Sequence, residues 1–384
     1  MSAQVALARA ICTASCLLFQ SSSPAQTDTA LQARRWTILP DPILSIGEES
    51  GDEAYLFKTI TGARLLPDGR IAVADAGLLE VRLFGRTGVF LKRLGRSGEG
   101  PGEFKDLNAI WVTSNGRIAA WDSGHQRITN YNSEGELTNT QAIHAPEAGG
   151  SLDFFAGTYT NDDVVLASLA FRRPPPGRPQ AIPDRVVLTR FSLEGSFKGA
   201  LGEADGIWRF QRRAIAFSAV PWVVVSRDQV FIADGYEAEI ESRDARGATA
   251  RVSFPRVKQP APDAAWSSLE SRLQEQRKTL FLQYLRSIPK DKRIPQIAGL
   301  IADDSGGIWA KDYDPLQDSI WLKGNAVWPQ PGGQWRVIGP DGRIMATVEI
   351  PAGLRPMEIR GELLVGVSTD ELDVERVVIH RIRR

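Results

Sequence analysis

The stretch DSGHQRITNYNSEG, Asp122 to Gly135, opens on aspartate and closes on glycine thirteen residues later. DAGLLEVRLFGRTG (Asp75 to Gly88) and DGYEAEIESRDARG (Asp234 to Gly247) keep the same spacing. The first two copies are offset by 47 residues, and upstream PDGRIAVAD (Pro67 to Asp75) lies over SNGRIAAWD (Ser114 to Asp122) at the same offset. A fixed period of this length marks a repeat architecture and governs the reading of every local motif. His125 stands where the other copies have Leu78 and Glu237. A position filled so variously is a place in a building block, with no catalytic duty expected.

Each copy reads as short strands joined by tight turns. RLLPDGRIAVAD is a strand, an Asp-Gly turn and a second strand, and EVRLFGRTGVFLKRL adds a third and a fourth. Four antiparallel strands in about 45 residues is the size of one propeller blade. Outer turns marked by Gly88, Gly135, Gly195, Gly247 and Gly342 count five such units. Residues 354–382 then supply three strands, and RWTILPDPILSIG (35–47) offers the missing fourth. Pairing the two ends removes the exposed edges. The expected fold is an all-β six-bladed β-propeller over residues 35–384, closed by an N-terminal strand.

GRSGEGPGEFKDLNAIWVTSNGRIAAWDSGHQRITNYNSEGEL resembles the NHL-repeat six-bladed propellers. Gly124 to Ile128 occupies the stretch for which that family is named, with glycine in place of asparagine. GEGPGEF (Gly98 to Phe104) is similar to the family's connection between blades. The resemblance implies a fold; it does not by itself imply a function.

The departures from the repeat are more informative about function. FRRPPPGRPQAIPDR (171–185) interrupts the third unit between its second and third strands. The fifth unit is enlarged within 313–333. Between the fourth and fifth lies 256–296, read as a helical insertion. In it Trp266, Leu269, Leu273, Leu280, Tyr284 and Ile288 recur at spacings that fit one helix face, with Asp263 as a cap. Each enlargement follows a second or a fourth strand. In an antiparallel meander those connections share one end, so all three are expected on the same face, where binding loops concentrate. Leu269, Leu273 and Leu280 are expected against the propeller or a neighbouring loop.

Composition narrows the classes further. Lys+Arg and Asp+Glu both number 46, which gives no reason for a polyanionic partner such as nucleic acid. No apolar run reaches the length of a membrane span. MSAQVALARAICTASCLLFQSSSPAQ has the form of a secretory signal cut after Ala25, followed by a linker to residue 34. Both cysteines, Cys12 and Cys16, fall inside it, so the processed chain is expected to lack a thiol. A lipid anchor on Cys16 is the less favoured alternative, because Thr13 stands where a large aliphatic residue is usual.

No nucleophile motif is present, and the histidines at 125, 144 and 380 have no second histidine at metal-ligand spacing. No catalytic residue and no metal ligand are therefore assigned, and no cofactor is expected. The binding candidates are Asp106, Asn108 and Gln296 near the starts of innermost strands, and Trp321 and Trp328 in the fifth unit's insertion. The favoured reading is an exported, monomeric binding module taking a small molecule or protein at the insertion-bearing face. The alternative is a metal-dependent hydrolase or lactonase, with calcium held at the channel mouth by Asp106, Asn108, Gln296 and Glu358. A hard cation there needs several converging oxygens.

Overall fold

The computed structural model describes residues 34–144, 152–173, 181–210, 213–247, 249–275, 277–288, 290, 293–318 and 329–384. The expected signal segment, residues 26–33 of the linker, and both Trp321 and Trp328 lie outside the described residues.

After β1 (Arg34–Ile38) and β2 (Leu44–Ile46) the chain folds into antiparallel meanders. The first is β3 (Ile60–Leu65), β4 (Ile71–Asp75), β5 (Glu80–Phe84) and β6 (Phe90–Leu94). A short parallel pair follows, β7 (Arg96–Ser97) and β8 (Glu103–Phe104). The second meander is β9 (Leu107–Val112), β10 (Ile118–Asp122), β11 (Arg127–Tyr131) and β12 (Leu137–Ala142). The third is β13 (Phe154–Thr158), β14 (Val164–Ala170), β15 (Ile182–Phe191), β16 (Phe197–Phe210) and β17 (Arg213–Ala214). The fourth is β18 (Trp222–Ser226), β19 (Gln229–Ala233), β20 (Glu239–Asp244) and β21 (Thr249–Ser253). Next come α1 (Pro262–Glu275) and α2 (Thr279–Ser287).

The remaining strands form one nine-stranded sheet. It holds a fifth meander, β22 (Ile297–Ala302), β23 (Ile308–Asp312), β24 (Gly333–Ile338) and β25 (Ile344–Ile350). It also holds a last set, β26 (Leu354–Arg360), β27 (Leu363–Thr369) and β28 (Glu375–Arg383). The expected closing segment is two strands rather than one. β2 lies antiparallel to β28, with Leu44 opposite Ile379 and Ile46 opposite Val377. β1 touches β28 at Thr37 and Ile38, but its longer pairing is parallel to β25, from Arg34 opposite Ala346 to Thr37 opposite Glu349.

This is a propeller arrangement. The first strand of each meander touches the first strand of the next: β3 to β9, β9 to β13, β13 to β18, β18 to β22, β22 to β26, and β26 back to β3. Sequence explains the radial order. IAVAD in β4 and IAAWD in β10 are buried at every position, because both faces of a second strand pack on neighbouring sheets. FLKRL in β6 and LTNTQA in β12 are largely exposed, as outermost strands must be. Apolar layers fill the gaps between sheets. Ala72, Val81 and Leu83 of the first meander meet Ile110, Ile118 and Ala120 of the second, and Trp36 of β1 packs with Trp309, Trp335 and Val348. The turns after the first strands need a left-handed residue. Gly69 and Gly116 supply it at φ 86° and 83°, whereas Asp162 and Arg227 adopt it at 64° and 52° without glycine's freedom.

The β26–β3 gap is bridged by side chains. Glu375 accepts from the Ile60 N–H at 2.5 Å, and Arg355 donates to the Ile60 carbonyl at 2.9 Å. Glu358 accepts from the Leu65 N–H at 2.8 Å, and Arg64 donates to the Met357 carbonyl at 2.8 Å. Burial holds both arginines below the usual guanidinium range, and Glu358 and Glu375 oppose that shift. Glu358, considered from sequence as an oxygen ligand, is thus a rivet of this seam.

The helical segment departs from the single face expected. α1 buries Trp266, Leu269 and Leu273, with Pro262 and Asp263 in its first turn. Arg277 then turns left-handed at φ 54° and resets the register. α2 buries Leu285, and Ile288 follows it into the core, while Leu280 is left 79% exposed. The expectation that Leu280 packs on the propeller is corrected: the break rotates it out. Among the described residues no helix is long and apolar enough to cross a membrane.

Candidate functional site

The ends of the meanders differ because of one buried carboxylate. Asp75 ends β4 and is fully buried. It accepts from the N–H groups of Lys58 and Thr59, just before β3, and from Gly77 and Leu78 in its own turn. Asp122 does the same for Lys105, Asp106, Gly124 and His125, each 47 residues on. The turn after the second strand therefore sits beside the start of the first strand. The connections between meanders end there too. Among the described residues, the enlargements at 171–173 and 181–185, at 256–296 and at 313–318 all emerge from this end.

Four groups of contacts join them into a surface. β15 and β16 run past the end of β14, whose last pairing is Ala170 with Arg185, and continue to Ile182 opposite Arg209. On that arm Arg209 pairs with Asp184 at 2.5 Å and lies 5.1 Å from the Phe171 ring centre. Burial raises the Asp184 carboxyl, and Arg209 opposes the rise. Trp208 meets Tyr236 edge-on, with ring centres 6.4 Å apart, and the Arg293 guanidinium stands 4.6 Å and 3.9 Å from the two rings. Beyond it Phe217 packs edge-on against Trp266, and the Lys290 ammonium lies 4.8 Å from the Trp266 ring centre. Finally Arg272 of α1 donates to the Leu316 carbonyl at 2.8 Å, and Gln259 to that of Tyr313 at 2.8 Å. An open groove of about 620 Å³ runs between α1 and Leu316, lined by Ser267, Ser268, Ser271, Arg272 and Glu275.

The fifth meander anchors its enlargement by a buried pair. Lys311 reaches Asp318 at 2.5 Å and the Gln330 carbonyl at 3.0 Å. Burial raises the Asp318 carboxyl, and Lys311 opposes that. Asp312, at the repeat position of Asp75, meets Arg336 at 2.9 Å. Burial pushes its carboxyl up to about 6.

The residues singled out from sequence have separate surroundings. Asp106 is exposed and accepts from the Ser123 hydroxyl at 2.5 Å. Asn108 is half-buried on β9. Gln296 is buried, and its side-chain oxygen accepts from the Val257 N–H at 2.8 Å, tethering the start of the helical segment. Asp106 and Gln296 share no hydrogen-bond partner. Among the described residues no group of three His, Cys, Asp or Glu side chains is placed to hold a metal ion. His125 links Asp122, 2.6 Å from Nδ1, to Glu99, 2.7 Å from Nε2. Arg127 donates to the carbonyls of Glu99, Gly100 and Glu103, which folds the GEGPGEF connection around one guanidinium. Sequence reasoning missed Trp208, Tyr236 and Arg293. Of the three only Trp208 lies on an element that is itself unusual, β16, fourteen residues long where β6 has five.

A family model described as a 6-bladed beta-propeller matches residues 52–147. A member of the DUF4221 family from Bacteroides vulgatus superposes with a TM-score of 0.52 at 11% identity, over 91% of this chain and 99% of its own. Virginiamycin B lyase from Staphylococcus aureus gives 0.44 at 8% identity, over 91% and 100%. Regucalcin, a calcium-binding protein from Agrobacterium tumefaciens, gives 0.43 at 10%, over 91% and 97%. Of these three the first alone is close enough to bear on the fold. The sequence matches no curated protein. The chain is a β-propeller.

Proposed function

We propose that the protein is an exported six-bladed β-propeller that binds a partner or ligand through the face built by its insertions. The ring of first strands supports the count of six, with the nine-stranded sheet read as two blades sewn together by β1. The N-terminal segment, with its signal-like order of charge, apolar run and small residues, supports export. The observation that carries the binding reading is convergence. Three enlargements in otherwise regular meanders meet in one surface through Arg209, Trp208, Arg293, Trp266 and Arg272. Enlarged loops on a regular scaffold are where binding sites concentrate.

The channel-mouth hydrolase has less to stand on. Asp106, Gln296 and Glu358 each spend side-chain oxygens on the protein's own donors: Ser123, Val257, and Leu65 with Arg360. The test is positional. A photo-crosslinking residue is placed at Ser268 on the groove wall, and separately at Thr87 in an outer turn of the opposite end. In cells that make the protein, adducts are expected from position 268 and not from 87. Equal labelling at both, or labelling at 87 alone, overturns the reading.

A further inference from the structure

The equal totals of acidic and basic residues hide their distribution. Residues 256–296 carry nine Lys or Arg against four Asp or Glu, 171–185 four against one, 207–217 three against none, and 313–333 one against two. These segments hold seventeen basic residues and seven acidic ones in a chain whose charges cancel, so the rest of the molecule is acidic by the same margin. Several of these cations stand apart from carboxylates. Among the described residues no ion pair engages Arg173, Lys258, Arg277, Lys278 or Lys290, and all five are exposed or half-buried.

A second observation comes from the apolar side chains left in water. The three most exposed large apolar residues among those described are Leu280 at 79%, Phe171 at 68% and Leu372 at 68%. Phe171 lies in the β14–β15 connection, Leu372 in the β27–β28 turn and Leu280 between β21 and β22. By strand order all three belong to the insertion-bearing end. Phe171 is followed by Arg172 and Arg173, and Leu280 is preceded by Arg277 and Lys278.

We propose that this face docks on a lipid bilayer rich in anionic headgroups. The inference rests on the binding-face reading and names its partner. At Phe171 and Leu280 an apolar tip stands beside cations, which suits a lipid surface, whereas Leu372 stands among Asp370, Glu371 and Asp373 and is not counted with them. The tips enter the boundary between headgroups and acyl chains, and the cations meet phosphate. A nucleic acid would reward the cations and leave Phe171 and Leu280 in water. A protein partner would call for one contiguous apolar patch, whereas these tips are single residues from different connections.

The test is co-sedimentation of the purified protein with vesicles of phosphatidylglycerol and phosphatidylcholine, and with vesicles of phosphatidylcholine alone. Binding is expected on the former only. It should weaken as salt rises from about 0.1 M to about 1 M, which shortens the screening length from ~10 Å to ~3 Å. Phe171→Ser and Leu280→Ser should each lower partitioning about tenfold. Arg173→Glu combined with Lys278→Glu should lower it by about tenfold or more. Val89→Ser, at an exposed apolar position of the opposite end, should change nothing. These are surface positions, so circular dichroism should show every variant folded. Equal binding to both vesicle types, or an equal loss in Val89→Ser, overturns the proposal. Binding to polyglutamate or duplex DNA without binding to either vesicle also overturns it. Position-268 adducts with no vesicle binding would overturn the lipid inference and leave the binding face standing.

Discussion

The first two meanders and the third to fifth are built to the same plan for different ends. Asp75 and Asp122 occupy one repeat position, are fully buried, and each order four backbone N–H groups. At the same position Asp234 is exposed and, among the described residues, orders the N–H groups of Tyr236 and Glu237. Asp312 has exchanged that cage for Arg336. Where the carboxylate cage is complete the connections stay short. The arm, the two helices and the enlarged loop all belong to the third to fifth meanders, although the Asp234 turn itself stays short. The regular half keeps the ring; the enlarged half offers surface.

The largest expected effect comes from removing the N-terminal strands, which pair with the fifth meander and the last set. Deleting residues 34–47 strips the shared edge of β25 and β28 and exposes the partners of Trp36, Ile38 and Ile46, all buried. Burying each such side chain contributes roughly 1.5–3 kcal/mol, and the freed edges invite aggregation. The expected outcome is loss of cooperative unfolding or precipitation, read by calorimetry and light scattering. A soluble deletion variant with unchanged melting temperature would place the closure elsewhere.

Next in size is the cage itself. Asp122→Ala leaves four backbone donors without their acceptor in a buried site, an expected loss of about 4 kcal/mol. Asp234→Ala removes an exposed turn cap and should cost about 1 kcal/mol. Urea unfolding of both variants measures the ratio. Equal losses would erase the distinction between complete and relaxed cages.

The complete cages were legible because they repeat. A 47-residue offset repeats aspartate, glycine and turn together, and Leu78 opposite His125 shows which residue is incidental. The enlarged half was legible only as departure. The helix break at Arg277 is one left-handed residue in a sequence whose apolar spacing continues through it, so Leu280 looked buried and Leu285 went unnoticed. Trp208, Tyr236 and Arg293 come from three separate segments, and nothing local links them. The parallel pairing of β1 with β25 is a tertiary choice that strand counting cannot make. The basic surplus of the enlarged segments was invisible in a total of zero.

Asp312 offers a smaller, pH-dependent test. Its carboxyl is pushed up to about 6 by burial, against the pull of Arg336, so the folded chain holds a proton that the unfolded chain releases above pH about 4. The stability this group contributes is present in full below pH ~4. It falls as pH rises through the window to about 6 and is gone above it, a change of about 3 kcal/mol. Asp312→Asn should cancel that fall. The stability of the native protein relative to the variant should decline between pH 4 and 6 and then level off. A flat difference across the window would mean that Arg336 fully offsets burial.

The smallest expected effect lies inside a complete cage. His125→Leu reproduces Leu78 of the first copy and deletes the contacts of the ring to Asp122 and Glu99. Asp122 retains the N–H groups of Lys105, Asp106 and Gly124, and that of residue 125 itself. Glu99, whose side chain is 81% exposed, returns to water at little cost. The GEGPGEF connection stays wrapped on Arg127. What is lost is one buried hydrogen bond to Asp122, about 1 kcal/mol. What is gained is an apolar side chain that the first copy already carries 43% exposed in the same turn. The melting temperature should drop by a few degrees at most, with unfolding still cooperative. A loss approaching that of Asp122→Ala would show that the second cage depends on its histidine. The first and second meanders would then be alike in backbone only.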